Sequence, residues 1–415
     1  MSDGFAAMRH PGVARLAVGR FFSAIATTST SVAVGWQLYE VTGSTFALGL
    51  VGLIEVIPVV TLALAAGVAA DRFPRRSVAI ASHLLLATCA GAFTALSVFD
   101  GAAWLYYPVI LVMGVGMAFR GPSVGAMLPQ LVPAKDFANA NAWFSSSFEL
   151  ASISGPALAG FLIALVKNAE LAFSFACFAH LVFVAILVSL PHRPAAMTGK
   201  SQGLTDLLAG FRFVTGTKVF LAAITLDLFA VLLGGAVSLL PVYAKDILHV
   251  GPVGLGWLRA APALGALSMA LIQTRLPPWK KPGEALLISV AGFGITTIVF
   301  GISQVMWLSL AALFFSGVFD NVSVVVRATL EQSLTPDVMR GRVAAIRNVF
   351  IGMSNELGAF ESGSVAALVS PFFSVVAGGV GTLLVVGVVA LVFPQLRKLP
   401  PLTELRPIHN GEEAV

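Results

Sequence analysis

Six carboxyl side chains, Glu55, Glu149, Asp227, Asp320, Glu356 and Glu361, stand inside long apolar runs of this 415-residue chain. A charge at the centre of a bilayer costs at least about 2.5 to 3.5 kcal/mol, so an acid kept there needs a partner, a wet cavity or a proton. An acid that takes up and releases a proton has the chemistry of ion-coupled movement. Spacing sorts the six. Ser145, Glu149, Ser152 and Pro156 fall at i, i+4, i+7 and i+11, one helix face near mid-membrane and a suitable cavity wall. Asp320 and Arg327 share a face but lie about 10 Å apart along the axis, so each looks to another helix, with Glu331 one turn beyond Arg327 as the local alternative. Arg347, Ser354 and Glu361 form one stripe; Glu356 stands half a turn away. Glu149, Asp227 and Asp320 are the first candidates for a proton carrier and Glu55 and Glu356 the next, against a structural ion pair or interhelical hydrogen bond for each. Arg20 and Arg327 join the same candidate path. The first apolar stretch also carries Ser23 and the run Thr27 to Ser31, so it lines the path or packs inward. Phe144, Phe148 and Phe229 either receive an aromatic cargo or face lipid.

Only an apolar helical scaffold positions such residues. The chain is 57% apolar and 11% charged, with a mean hydropathy of +0.91, against roughly 25% charged for a soluble domain. That excludes a water-soluble globular protein, a disordered chain and a disulfide scaffold; Cys89 and Cys177 lie inside apolar runs and read as small hydrophobes. Without water, backbone polar groups must be satisfied within the segment, so about 20 apolar residues make one helical crossing. Twelve crossings are predicted, near 14–39, 45–70, 77–99, 103–125, 138–165, 170–190, 218–243, 253–273, 284–303, 306–330, 342–368 and 371–394, with breaks at Ser303-Gln304 and Ser370-Pro371 in the two overlong uncharged stretches. With both termini inside, eighteen of the 25 lysines and arginines fall in inner loops and tails, and only Lys167 and Lys245 in outer loops. The positive-inside rule thus accounts for the net charge of +5 without nucleic acid.

An offset of 203 residues superimposes Arg72 on Arg275, Pro74 on Pro277, Leu131 on Leu334, Pro133 on Pro336, Gly155 on Gly358 and Gly160 on Gly363 without a gap. This argues for a duplicated six-helix unit in the same orientation. The expected organisation is an N-terminal bundle over 1–190, a cytoplasmic linker over 191–217, a C-terminal bundle over 218–396 and a tail over 397–415. Leu204, Leu207, Leu208, Phe211 and Phe213, with Asp206 and Arg212 between them, fit a short amphipathic helix in the linker as well as a plain connector.

The loop from Gly67 through Asp71, Arg72, Phe73, Pro74, Arg75 and Arg76 resembles the cytoplasmic signature of the major facilitator superfamily, Gly-x-x-x-Asp-Arg-x-Gly-Arg-Lys/Arg, with Pro74 where the signature has glycine. Ser154-Gly155-Pro156-Ala157-Leu158-Ala159-Gly160 resembles part of the glycine-proline motif of that superfamily's antiporters, with Ala159 replacing one glycine. Gly210-Phe211-Arg212-Phe213, Leu239 to Ala244, Gly256 to Gly265 and Thr335-Pro336-Asp337 with Gly341-Arg342 are similar to the branch of drug:proton antiporters that holds enterobactin exporters and macrolide efflux pumps.

The resemblance implies an all-α membrane protein with twelve transmembrane helices in two parallel-repeat six-helix bundles. It implies an exporter of an amphipathic organic molecule, siderophore-like or a drug, working by alternating access with protons as the coupling ion, in the inner (cytoplasmic) membrane as a monomer. Gly67, Asp71, Arg72, Arg75 and Arg76 would gate the inner mouth, Asp71 facing a helix N-terminus, where a negative charge gains up to about 1 kcal/mol. Gly155, Pro156 and Gly160 would let the fifth crossing approach a neighbour and bend. An uncoupled facilitator or an importer of a small metabolite would carry the same fold, and a membrane-embedded enzyme or scaffold is the more distant alternative. Gly199-Lys200-Ser201 lacks the leading glycine and the strand of a phosphate-binding loop, so neither ATP nor another cofactor is expected. His83 and His180 stand alone without ligand spacing and read as packing residues, with no metal implied.

Overall fold

The structure, a computed structural model, describes residues 4–191, 204–336 and 339–405, apart from the side chains of Leu64, Asp71, 204–207, Ala345 and Thr403. The described residues are helical almost throughout. The helices are α1 (Pro11–Thr42), α2 (Thr45–Thr61), α3 (Ala63–Arg72), α4 (Arg75–Val98), α5 (Tyr106–Gly125), α6 (Leu128–Leu131), α7 (Phe137–Val166), α8 (Glu170–Ser189), α9 (Leu204–Gly216), α10 (Lys218–Leu233), α11 (Leu240–Val242), α12 (Gly251–Gln273), α13 (Pro282–Ile302), α14 (Met306–Leu334), α15 (Arg340–Leu368), α16 (Pro371–Val392) and α17 (Pro394–Arg397). Among the described residues nine helical stretches are long and apolar enough to cross a membrane, and α2 is a shorter apolar helix. The remaining predicted crossings coincide with α1, of 32 residues, with α2 running on into α3, and with α15, of 29 residues.

Local chemistry accounts for the ends. Pro11 opens α1, where its missing N–H costs nothing. Gly43, at φ 59°, closes α1 in the left-handed conformation and donates its N–H to the Tyr39 carbonyl. The hydroxyls of Thr27, Thr28 and Thr30 donate to carbonyls four residues back, which makes a polar run tolerable within a helix that has little water around it. The predicted breaks fall where expected: α13 stops at Ile302, and the Ser370 hydroxyl caps α16 by accepting the Phe373 N–H at 3.1 Å.

Two predicted crossings are not single helices. The second divides at Leu62, although the Leu62 N–H still donates to the Pro58 carbonyl at 2.9 Å and the Leu62 carbonyl accepts from Ala66 at 2.8 Å. The seventh ends as α10 at Leu233 and continues through 3-10, α and π turns to Ile247. Close approach is the reason: a Cβ at Gly235 would stand 2.6 Å from the Gly358 carbonyl oxygen, so glycines occupy the bend. Tyr243 pins the continuation, donating its buried hydroxyl to the Gly301 carbonyl at 3.0 Å.

The chain forms two compact units, one of Met1–Gly43, Ile54–Ser201 and His249–Ala260, the other of Ser44–Leu53, Gln202–Leu248 and Ala261–Val415. In the first, alanines make the interface of α1, α4, α7 and α8: Ala24, Ala26, Ala90, Ala151, Ala176 and Ala179 are buried together. Small residues let backbones approach, the source of helix adhesion where lipid offers no hydrophobic drive. In the second, Phe220, Leu226, Leu286, Val322, Val326 and Leu330 form a larger aliphatic core. There α9 packs on α15, Gly210 against Arg342 and Phe211 stacked with Phe350 at 6.5 Å. Large apolar side chains such as Ile288, Leu384 and Leu391 face outward, as a lipid-facing surface requires.

The duplication extends to contacts. Under the same 203-residue offset, Gly155 on Thr28 in the first unit maps to Gly358 on Val231 in the second, and Gly160 on Pro252 maps to Gly363 on Gly49.

Candidate functional site

The second unit gathers the sequence-predicted charges of α10, α14 and α15. Asp227 and Arg327 form a direct ion pair, each with about one-seventh of its side chain exposed. Arg327 also donates Nε–H to Ser323, to Oγ at 3.2 Å and to the carbonyl at 3.3 Å. Glu331 therefore does not serve as the local partner of Arg327. It accepts instead from Arg347 of α15 at 2.9 Å. An i,i+4 pair with the cation N-terminal to the acid is the weaker order on a helix, and each of the two finds its counter-charge on another helix. Asp227, Arg327, Glu331 and Arg347 line a cavity of about 40 Å³, walled by Phe220 and Phe350. About 10 to 15 Å³ on this measure admits one water, so the four charges have room for solvent. Asp320 lies within Coulombic range of both Arg327 and Asp227.

Elsewhere in this unit Glu356 comes against α2, its Oε2 at 3.3 Å from where a Gly52 Cβ would stand. Glu361 accepts the Ser362 hydroxyl at 3.1 Å. The structure does not gather these two glutamates into the Asp227 cluster.

In the first unit, Arg20 of α1 lies over the Phe144 ring of α7 at 4.1 Å and near Phe148 at 5.4 Å. Arg120 of α5 donates to Thr27 Oγ1 at 2.6 Å. Glu55 lies within Coulombic range of Arg120 and Arg259, and Arg259 donates to Ser31 at 2.8 Å. Glu149 is half-buried on the α7 face read from the sequence, where Ser152 turns its hydroxyl to the Phe148 carbonyl.

The motif from Gly67 to Arg76 ties helix ends together. Arg75 donates to the Ala126 carbonyl at the end of α5, at 2.7 Å, and to Ala70 at 3.4 Å. Arg76 donates to the Val188 carbonyl in the last turn of α8, at 2.6 Å. C-terminal carbonyls lack helical partners and carry the negative end of the dipole, so cations suit them. Arg72 is exposed, a Cβ at Gly67 would meet nothing within 4 Å, and the side chain of Asp71 lies outside the described residues. Pro74, at φ −55°, precedes α4 without strain. Gly199-Lys200-Ser201 also lies outside the described residues.

The glycine-proline motif is a packing surface on both sides. Gly155 lets α7 meet α1, with the Ser29 hydroxyl donating to the Gly155 carbonyl at 3.1 Å. Pro156 offers its carbonyl to Gly256, where a Cβ would stand 2.7 Å away, and Gly160 faces Pro252.

Sequence reading missed two groupings. His83 and His180 are buried and meet Nδ1 to Nδ1 at 3.2 Å, one as donor and the other as acceptor. Nothing in the spacing of two residues 97 apart signals that encounter. Arg120 and Arg259 were legible as basic residues inside crossings, but not as neighbours of Glu55.

The profile of the transmembrane secretion effector family, a division of the major facilitator superfamily, matches residues 2–408. The chain belongs to this family. It is 28% identical over 397 residues to an enterobactin exporter, EntS, of Shigella dysenteriae serotype 1, covering 94% of this chain and 93% of that protein. It is likewise 28% identical over 398 residues to the EntS of Escherichia coli O1:K1, with the same coverage. Among solved structures, the inward-facing, unoccupied bacterial homologue of the human lysosomal transporter Spinster superimposes with a TM-score of 0.74 at 14% identity, over 94% of this chain and 98% of that one. The nucleoside transporter NupG superimposes with a TM-score of 0.69 at 16% identity, over 93% and 98%. At such identities the likeness speaks for the fold alone. This member of the secretion effector family is a multi-pass membrane transporter of small molecules working in export, and not an enzyme.

Proposed function

We propose that this transporter exports a siderophore-like, amphipathic organic molecule across the cytoplasmic membrane by alternating access, in exchange for protons. Both termini lie on the cytoplasmic side in this reading, as the positive-inside count supports, and the protein works as a monomer without ATP. The observation that carries the coupling is the charge cluster of the second unit, in which Asp227 and Arg327 share a cavity of about 40 Å³ with Glu331 and Arg347. A proton arriving by water at Asp227 neutralises the acid that Arg327 holds, and the freed guanidinium is drawn toward Asp320. Protonation at Asp227 thus changes which acid Arg327 faces. Glu149, Glu55 and Glu356 are the secondary acids. Gly67, Asp71, Arg72, Arg75 and Arg76 hold the inner helix ends in one state and release them in the other, and Gly155, Pro156 and Gly160 keep α7 closely packed. The named cargo of the EntS relatives supports a siderophore as first candidate.

The test is flux of a catecholate siderophore in proteoliposomes under an imposed pH gradient. The expected result is accumulation that follows the gradient in the antiport direction and collapses when a protonophore is added. Flux indifferent to the gradient would replace the antiporter with an uncoupled facilitator, and no flux of any siderophore would remove the cargo assignment.

A further inference from the structure

Two guanidinium groups of the first unit, Arg20 and Arg120, have almost nothing to hold. Each offers five N–H donors in a rigid planar fork. Among the described residues Arg20 makes no hydrogen bond and no ion pair, and its buried Nε lacks a partner. Arg120 makes one hydrogen bond, to Thr27 Oγ1 at 2.6 Å. The two lie within Coulombic range of each other, so like charges are held together on α1 and α5 where an apolar chain should keep them apart. Glu55, in range of Arg120 and Arg259, offsets part of this charge, yet neither Arg20 nor Arg120 forms an ion pair with it.

The geometry holds the forks still while leaving them free. The Arg20 guanidinium carbon stands 4.1 Å from the centroid of the Phe144 ring, a cation–π contact made without a hydrogen bond. Thr27 donates its own hydroxyl hydrogen to the Ser23 carbonyl at 2.9 Å, so its lone pairs point to Arg120 and fix that side chain by one corner. Phe148, one helical turn from Phe144, is 39% exposed and within 5.4 Å of Arg20. An oriented guanidinium edge beside an exposed ring matches a carboxylate or phenolate joined to an aromatic ring: the oxygens take the fork in bidentate fashion, and the ring stacks on Phe148.

We propose that Arg20, Arg120, Phe144 and Phe148 form a binding site for aromatic organic anions and make them the substrate class of this transporter. The assignment rests on the export reading above and specifies its cargo: cationic drugs are repelled, and neutral aromatics lose the fork.

The experiment is binding to the full chain in lipid nanodiscs, by calorimetry, with 1-naphthoate, its neutral analogue 1-naphthylmethanol and the non-aromatic anion cyclohexanecarboxylate. The expected result is 1-naphthoate binding about tenfold or more tighter than either analogue. Arg20→Gln and Arg120→Gln each remove that preference and leave 1-naphthylmethanol binding unchanged, and Phe148→Leu weakens 1-naphthoate but not cyclohexanecarboxylate. Should a glutamine variant fail to fold, Arg20→Lys and Arg120→Lys keep the charge without the fork, and retain a reduced preference for the anion over the alcohol. Equal binding of 1-naphthoate and 1-naphthylmethanol by the wild type, or wild-type preference in both glutamine variants, would overturn the site. The gradient-driven flux assay separates the two readings: flux with no anion preference sinks this site alone, whereas absent flux sinks the export reading and leaves the binding result standing.

Discussion

Asp227→Asn is expected to abolish gradient-driven export, with a drop of more than about tenfold in flux, and to lower the thermal unfolding temperature of the purified protein. The ion pair with Arg327 is mostly buried, so removing one partner strands the other charge, at about 3 to 5 kcal/mol. Arg327→Gln should destabilise for the mirror-image reason, though less severely, because the stranded acid can take up a proton whereas a guanidinium cannot shed one. The double variant Asp227→Asn with Arg327→Gln removes both charges and should regain most of the lost stability, a positive coupling read from a double-mutant cycle of unfolding temperatures. It should not regain coupled flux. That split between recovered stability and unrecovered transport distinguishes a working acid from a structural ion pair, since a merely structural pair would return both together. Coupled flux in the single Asp227→Asn variant at wild-type level would remove Asp227 from the proton path.

Gly160→Leu and Gly363→Leu should each reduce export by more than about tenfold while the protein still inserts. A Cβ at Gly363 would stand 2.6 Å from Gly49 Cα and 2.7 Å from the Thr45 carbonyl oxygen, and Gly160 meets the Pro252 carbonyl in the same way. Backbone cannot swing aside as a side-chain tip does, so the added group displaces a helix and costs about 1 to 3 kcal/mol or more. Gly387→Leu provides the control: it is an exposed position of α16 with nothing within 4 Å of its Cβ, and gains helix propensity. Normal flux in both crossing variants, with loss in the control, would reverse this account.

Much of the architecture was legible in the order of residues, because a bilayer leaves few choices. Low charge density and apolar runs dictate helices. The breaks at Ser303-Gln304 and before Pro371 were visible as turn chemistry. The bend after Leu233 was not, since Gly234 and Gly235 look like ordinary residues of an apolar run until Gly358 is brought against them. The site divided the same way. Asp227, Asp320 and Arg327 announced themselves as charges where charge is costly, and Arg75 and Arg76 as part of a recognisable loop. The partners did not: Asp227 and Arg327 are a hundred residues apart, and the ring beneath Arg20 belongs to the fifth crossing.

By itself, then, the sequence determined that the chain is a helical membrane transporter, and which residues inside its apolar runs carry charge. Tertiary structure alone decided that Arg327 is held by Asp227 while Glu331 goes to Arg347, that His83 finds His180, and that Arg20 and Arg120 come within Coulombic range of each other. The physical reason is one of range. Desolvation and hydropathy act on each residue where it stands and can be read along a line, whereas a hydrogen bond or ion pair is made over about 3 Å and depends on which helices the fold has laid side by side.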